Sequence, residues 1–167
     1  SYINVWVVKE INSTSAGNNV AGYANFPYIH GSKYDGIVIE SGFLGMNKNS
    51  GIVLVHEMGH YFGLYHTFEG GCSNSDCTLS GDKVCDTPPD QTNTPVLCNT
   101  TVNSCNTDIL SGFTMDENDH INNYMDYGNP SCMDQFTLGQ KTRMFYYLEN
   151  DRKSLINSIG CQQPCTN

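Results

Sequence analysis

Three short apolar stretches near the start of the chain predict β-strands. Residues 2–8 alternate and are rich in Val and Ile, which favours an extended strand. Residues 21–26 form a second short strand that Pro27 ends, and because proline cannot donate to a ladder, we expect this strand at a sheet edge. Residues 36–40 are apolar enough to form a buried third strand.

After the third strand, the spacing of apolar residues changes to the period of a helix. A first helix is predicted over about 51–61, with Asn49 or Ser50 as its N-cap. Its leading apolar run at 51–55 is much too short to cross a membrane, and no other segment approaches the necessary length.

A second helix is predicted over about 138–150, with an extension to 156 left open. Thr137 and Gln140 before it have the spacing of a capping box. Residues 69–119 lie between the two helices and keep neither a helical nor a strand period. Irregular stretches of this length are normally functional or disordered, so we expect disulfides and a metal to hold this one.

The first helix carries the pattern H-E-x-x-H-x-x-G-x-x-H. His56 and His60 are one turn apart and point from one helix face. Gly63 allows a left-handed turn that ends the helix and brings His66 back as a third ligand. Three imidazoles suit a tetrahedral zinc ion with one open position, and Glu57 lies within reach of a water on it. The alternative is an amphipathic helix that happens to carry histidines.

This ligand set predicts hydrolytic chemistry. Zinc held by three neutral imidazoles lowers the pKa of a bound water to about 7. Glu57 can take that water's proton and later give it to the leaving amine, while zinc stabilises the oxyanion. The same chemistry would serve a zinc amidase or deacetylase acting on a non-peptide amide. A catalytically silent adhesion module is the non-enzyme alternative, and the intact Glu57 argues against it.

Composition narrows the class of protein. The chain has 167 residues, which fits one domain, and its net charge is −9. It has no basic run, which argues against a nucleic-acid partner, whereas an acidic surface suits calcium. The eight cysteines include no C-x-x-C pair, so a disulfide framework in an oxidising, extracellular compartment is favoured over a second, cysteine-bound zinc.

Several segments together resemble the pappalysin (cytophagalysin-like) family of metzincin zinc metallopeptidases. The zinc motif is typical of the whole clan. The family is indicated by G-L-Y-H-T-F at 63–68, G-D-K-V-C-D-T-P at 81–88, N-Y-M-D-Y at 123–127, and F-T at 136–137 with a glutamine at 140.

The resemblance implies a secreted zinc endopeptidase with an α+β, metzincin-like fold. A small mixed sheet and the zinc-motif helix would lie above the cleft, in an upper subdomain at 1–63. A loop-rich, disulfide-bonded lower subdomain with a C-terminal helix would occupy 64–167, completing a single catalytic domain. No segment before His56 has the pattern of the long backing helix usual in such upper subdomains, so we expect the chain either to be a fragment of a larger mature enzyme or to lack that element. Substrates would be proteins or peptides, and the enzyme is expected to be a monomer.

The resemblance also implies residue roles. Met125 would pack beneath the zinc-bound imidazoles, where an apolar, polarizable thioether is suitable. Tyr127 would move onto the oxyanion of the intermediate, although the residue pattern alone suggests a core aromatic. The strand that contains Gly22, Tyr23, Ala24 and Asn25 is the candidate edge on which an extended peptide pairs, or else an ordinary hairpin strand.

Calcium and disulfide positions are implied in the same way. Asp82, Asp86 and Thr87 could supply oxygens to a structural Ca²⁺, with a solvated acidic turn as the alternative. The family's crossed pattern suggests the pairs Cys85–Cys105 and Cys98–Cys132, which leaves Cys72–Cys77 and Cys161–Cys165 as local loops.

The S1′ preference is a last implication. Pappalysins that cut beside Arg or Lys have an acid just after the tyrosine of the methionine turn. Here residues 128–131 read G-N-P-S, so no strong preference for a basic side chain is expected.

Overall fold

The computed structural model describes residues 1–12, 20–45, 48–91, 93 and 95–158. Its strands are β1 Val5–Val8, β2 Gly22–Ala24 and β3 Ile37–Glu40, and its helices are α1 Lys48–Tyr61, α2 Leu138–Glu149 and α3 Lys153–Ile156. This confirms the predicted α+β class. None of the helices within the described ranges has the length and apolar character needed to cross a bilayer. The division into subdomains at residue 63 stays a prediction.

The sheet is mixed, as predicted, with the order β1-β3-β2. The central strand β3 pairs in parallel with β1 and antiparallel with β2, so β2 lies at an edge. Ile37 and Ile39 of β3 are fully buried and form a core with Tyr61 of α1 and Leu155 of α3. The core therefore joins the central strand to the end of the zinc-motif helix and to the last described helix.

Helix α1 begins earlier than predicted, because Asn49 and Ser50 lie inside it and neither is its N-cap. Both residue types favour caps but are tolerated within a helix, so propensity alone did not place the boundary. Its end is as expected. Gly63 has a φ of 89°, the Leu64 amide donates to the Gly59 carbonyl at 2.9 Å, and the Gly63 amide donates to the His60 carbonyl at 2.9 Å. These two bonds form a Schellman motif, which turns the chain back toward the helix.

Helix α2 begins with the predicted capping box of Thr137 and Gln140. Asp86 adds a cap from a distant loop: its two carboxylate oxygens accept hydrogen bonds from the Thr137 hydroxyl and the Gly139 amide, both at 2.7 Å. The helix does not extend to 156, since it ends at Asn150 and a separate short helix, α3, follows.

The disulfide prediction needs correction. The structure pairs Cys98 with Cys132, as the resemblance implied, but the pairs Cys85–Cys105 and Cys72–Cys77 are wrong. Cys77 lies eight residues before Cys85 with their Cα atoms 4.9 Å apart, within the usual disulfide range, and it takes the place of Cys105. Cys105 pairs with Cys72 instead. The predicted pair Cys161–Cys165 lies outside the described residues.

Candidate zinc centre and active site

The three histidines of the motif converge on one point. Their Nε2 atoms are separated by 3.2 Å between His56 and His66, and by 3.1 Å from His60 to each of these. No other group of three or more His, Cys, Asp or Glu side chains within the described ranges comes together in this way. Tetrahedral zinc at about 2.0–2.1 Å from each nitrogen would place its ligand nitrogens about 3.3–3.4 Å apart. The triad therefore has nearly the spacing that a bound zinc requires.

Hydrogen bonds fix which nitrogens face inward. Nδ1 of His56 lies 2.6 Å from the Tyr124 carbonyl, and Nδ1 of His60 lies 2.8 Å from the Leu64 carbonyl. Burial lowers the pKa of His56 to about 4 and that of His66 to about 3, with added repulsion from the neighbouring imidazoles. Neutral rings that donate through Nδ1 present bare lone pairs at Nε2. Lone pairs facing one another repel unless a cation lies between them, so the donor set fits a zinc ion.

Glu57 lies beside the triad in an unusual environment. Its side chain is buried, and Oε2 has no hydrogen-bond partner among the described residues. Burial raises the pKa of this carboxyl to about 8. Gly22 of β2 lies so close that an added Cβ would be 3.1 Å from Cγ of Glu57. A buried carboxyl with a bare oxygen next to a ligand set has the position that a general base for a metal-activated water needs.

The methionine turn packs under the zinc motif. Met125 is fully buried, and its sulfur lies against Gly59, where a Cβ would overlap it. The Met125 amide donates to the side-chain oxygen of Asn123 at 2.9 Å. Asn123 and Gln140 exchange reciprocal amide hydrogen bonds at 2.9 and 3.0 Å, which tie the turn to α2. Sequence reasoning missed Gly59 and Asn123, although a glycine inside a helix and a polar residue two before the methionine were visible signals.

Tyr127 lies beside two imidazoles of the triad. Its ring centroid is 4.7 Å from that of His66 and 5.7 Å from that of His56, and 48% of the residue is exposed. Phe68 also stacks on the His66 ring, with the two ring centroids 4.7 Å apart, and its centroid lies 4.9 Å from that of Tyr127. Burial, together with the nearby Glu57, raises the pKa of the phenol. Tyr127 is therefore protonated at neutral pH and close enough to the centre to act as a donor.

The edge strand β2 runs past the same centre. The Asn25 amide donates to the Gly36 carbonyl and the Glu40 amide donates to the Ala21 carbonyl, so Ala21, Tyr23 and Asn25 are the residues that bond to β3. In an antiparallel ladder the alternate residues point their N–H and C=O groups the other way, here to the free edge. The N–H and C=O groups of Gly22 and Ala24 therefore point to the free edge, and Gly22 lies beside Glu57. The ring centroid of Phe26, just after β2, lies 5.5 Å from that of His60.

The predicted calcium ligands have protein partners. Asp82 accepts from the Thr87 hydroxyl at 2.6 Å and the Val84 amide at 3.1 Å, and Asp86 caps α2 as described. Calcium stays a prediction. Among the described residues, Asp108, which was not in the predicted set, has two buried carboxylate oxygens with the carboxyl of Asp116 as their neighbour.

Comparison with known proteins supports the class that this geometry defines. Mature mirolysin of Tannerella forsythia, solved in complex with a cleaved peptide, superposes with a TM-score of 0.68 at 25% identity, covering 98% of this chain and 59% of mirolysin. A second mirolysin structure, in complex with a compound, superposes with a TM-score of 0.65. The fold is thus that of the metzincin metallopeptidases.

The sequence profile of the family described as pregnancy-associated plasma protein-A matches residues 1–149, so the chain belongs to this family, the pappalysins. The extracellular metalloprotease of Sordaria macrospora is 38% identical over 159 residues, covering 90% of this chain and 49% of the relative. That of Neurospora crassa is 39% identical over 155 residues, covering 87% and 47%. This chain spans about half the length of these relatives.

Proposed function

We propose that this chain is a secreted zinc-dependent endopeptidase, with zinc held by His56, His60 and His66. The observation that carries the proposal is the convergence of three neutral imidazole nitrogens next to a buried carboxyl with a bare oxygen. Secretion is supported by the disulfides and by the extracellular relatives.

A zinc ion held there supplies a Lewis acid that polarises a peptide carbonyl and makes water acidic enough to attack it near neutral pH. A cation at the triad would favour the carboxylate form of Glu57 over the acid that burial alone favours. Glu57 then accepts the proton from the attacking water through its bare oxygen and passes it to the leaving amine. The Tyr127 phenol, half exposed and flanking His66, turns to donate to the oxygen on which charge develops. The scissile bond is thereby cleaved with no covalent bond to the protein.

Substrate binding is assigned to the free edge of β2. An extended peptide adds to this edge through the N–H and C=O groups of Gly22 and Ala24, which gives affinity without dependence on side chains. Gly22 leaves room for Glu57 at this point, because a Cβ there would crowd both the carboxylate and the Val38 carbonyl at 3.1 Å. The peptide then runs beside the general base.

The deciding experiment compares Glu57→Ala with the wild type on denatured casein, with bound zinc measured by atomic emission. We expect the variant to keep zinc and fold but to lose at least about two orders of magnitude in rate. Glu69→Ala changes an exposed acid just beyond the motif and should retain both zinc and activity. Wild-type rates in the Glu57→Ala protein, or a wild type without zinc, would contradict the mechanism.

A further inference from the structure

Arg152 is a fully buried arginine in the turn between α2 and α3. Its Nε donates to the Tyr61 carbonyl at 2.7 Å, one terminal nitrogen to Asp35 at 2.8 Å, and the other to the Asn25 carbonyl at 2.9 Å. The guanidinium carbon also lies 3.3 Å from the centroid of the Tyr61 ring. One side chain thus contacts three separate segments of the chain.

These three segments are the ones that build the proposed active site. Tyr61 is the last residue of α1, which carries His56, Glu57 and His60. Asn25 directly follows β2, the proposed substrate edge, and Asp35 lies just before β3. The guanidinium therefore bridges the zinc helix to the strand on which the peptide would bind.

The chemistry of the bridge favours a fixed geometry. Burial alone would raise the pKa of Asp35, but hydrogen bonds from Arg152 and His30 hold it below its ordinary value, so the pair is charged. Arginine presents planar, rigidly spaced donors, whereas lysine offers one compact ammonium that cannot reach three acceptors in this arrangement. The planar guanidinium of Arg152 thus sets the orientation of β2 relative to α1.

We propose that Arg152 is a positioning residue, which holds β2 at the distance from α1 that presents a bound peptide's carbonyl to the His triad. This rests on the proposed function, since it assumes cleavage at the triad and binding at the β2 edge. Arg152 lies beyond residue 149, where the family match ends, so family membership does not assign this role.

The test uses two internally quenched peptides that share one bond which the wild type cuts in denatured casein. The short peptide contains only the few residues on either side of that bond, whereas the long peptide has enough further residues to pair along β2. In the wild type the long peptide should have the higher kcat/KM, because it gains main-chain bonds at Gly22 and Ala24. Any loss of folded or zinc-loaded protein would lower both rates equally, so the ratio of the two reports alignment alone.

The variants are Arg152→Lys and the double variant Arg152→Met with Asp35→Asn, which removes the bridge without leaving a buried unpaired charge. We expect the kcat/KM of the long peptide, divided by that of the short peptide, to fall at least about tenfold in both variants. The fall should come mainly from kcat of the long peptide, because small misplacements of a reacting bond are costly. Arg143→Met is the matched control: Arg143 donates to the Gly63 carbonyl at 2.8 Å, just after α1, and its guanidinium also packs on Tyr65 and Tyr147, outside β2. Its ratio should equal that of the wild type.

Hydrogen exchange supplies a readout that needs no activity. In the double variant, amides of residues 22–26 should exchange faster while those of 52–61 keep their protection. If the wild type binds zinc yet cuts no bond in denatured casein, the proposed function fails and the exchange result still decides whether Arg152 positions β2. An unchanged peptide ratio, or unchanged exchange at 22–26 in the double variant, would overturn the proposal.

Discussion

The sulfur of Met125 occupies the space that a side chain at position 59 would need, so the methionine turn and the zinc helix fit together only because residue 59 is glycine. Gly59 lies one residue before His60, on the helix turn between the two helical ligands. Because the contact lies next to His60, a shift of the methionine turn would displace the helix face that carries the two imidazoles. This pair therefore sets how closely the methionine turn packs against the helix that carries His56 and His60.

Gly59→Ala should destabilise the protein by about 1–3 kcal/mol, the usual cost of overpacking a core, and should weaken zinc binding. Gly51→Ala is the matched control, because it lies in the same helix with nothing near its added Cβ, and it should be neutral or stabilising. Thermal melts and zinc titration measure both. If Gly59→Ala combined with Met125→Ala shows the simple sum of the two single effects, the residues are not coupled.

Local signals predicted the parts of the molecule that depend on local sequence. The spacing of His56, His60 and Gly63 fixes a helix face and its end, so the convergence of the three histidines could be predicted, whereas the mixed pairing of the sheet was implied only by the family resemblance. The predicted start of α1 was three residues late, because propensity is weak against tertiary packing, whereas the predicted range of α2 was correct to one residue and its open extension to 156 is a separate helix.

Contacts between distant segments could not be predicted. The pairing of Cys77 with Cys85 depends on how an irregular loop folds, and a pattern taken from the family gave a different partner. The cap that Asp86 gives to α2 and the bridge made by Arg152 join residues far apart in sequence. The spacing of apolar and polar residues does not indicate such contacts, because each of them depends on the whole fold.

Tyr127→Phe should lower kcat on peptide substrates by about a hundredfold with little change in KM, as expected for loss of one donor to a developing oxyanion. The ring packing on His66 and Phe68 is kept in phenylalanine, so zinc content and melting temperature should stay at wild-type values. Tyr146→Phe removes an exposed hydroxyl from α2 and serves as the control. A rate equal to wild type in Tyr127→Phe would assign the tyrosine to packing alone.

The stability of this protein should depend on the ionisation of Asp108. Burial first, and then the neighbouring carboxyl of Asp116, raise the pKa of Asp108 above its ordinary value. Between the ordinary and the raised pKa the folded state holds a proton that the unfolded state lacks, so stability falls as the pH rises through this window. In zinc-saturated, calcium-free buffer, Asp108→Asn should therefore be more stable than wild type at pH 7, with the advantage shrinking toward pH 4.

Asp119→Asn, by contrast, should be less stable than wild type, because it weakens the hydrogen bond that the carboxylate accepts from the Ser104 amide at 3.1 Å. Calcium added to the wild type should raise its melting temperature, since an ion bound only by the native state stabilises it. If Asp108→Asn abolishes this shift, the ion binds there, and if Asp82→Asn does, it binds at the originally predicted position. A melting curve that calcium leaves unchanged would contradict the calcium prediction.

The S1′ pocket should not prefer basic side chains. A buried ammonium or guanidinium without a carboxylate partner loses its hydration, at a cost on the order of several kcal/mol. The acids near the methionine turn have other roles: Asp126 accepts the Tyr127 amide at 2.6 Å, Asp119 accepts the Ser104 amide at 3.1 Å, and Asp134 accepts the Asn122 side chain at 3.1 Å. We expect neutral or apolar residues on the carboxyl side of the cut. Cleavage profiling on a proteome-derived peptide library measures this directly, and dominant Arg or Lys at that position would show that an acid reaches the pocket.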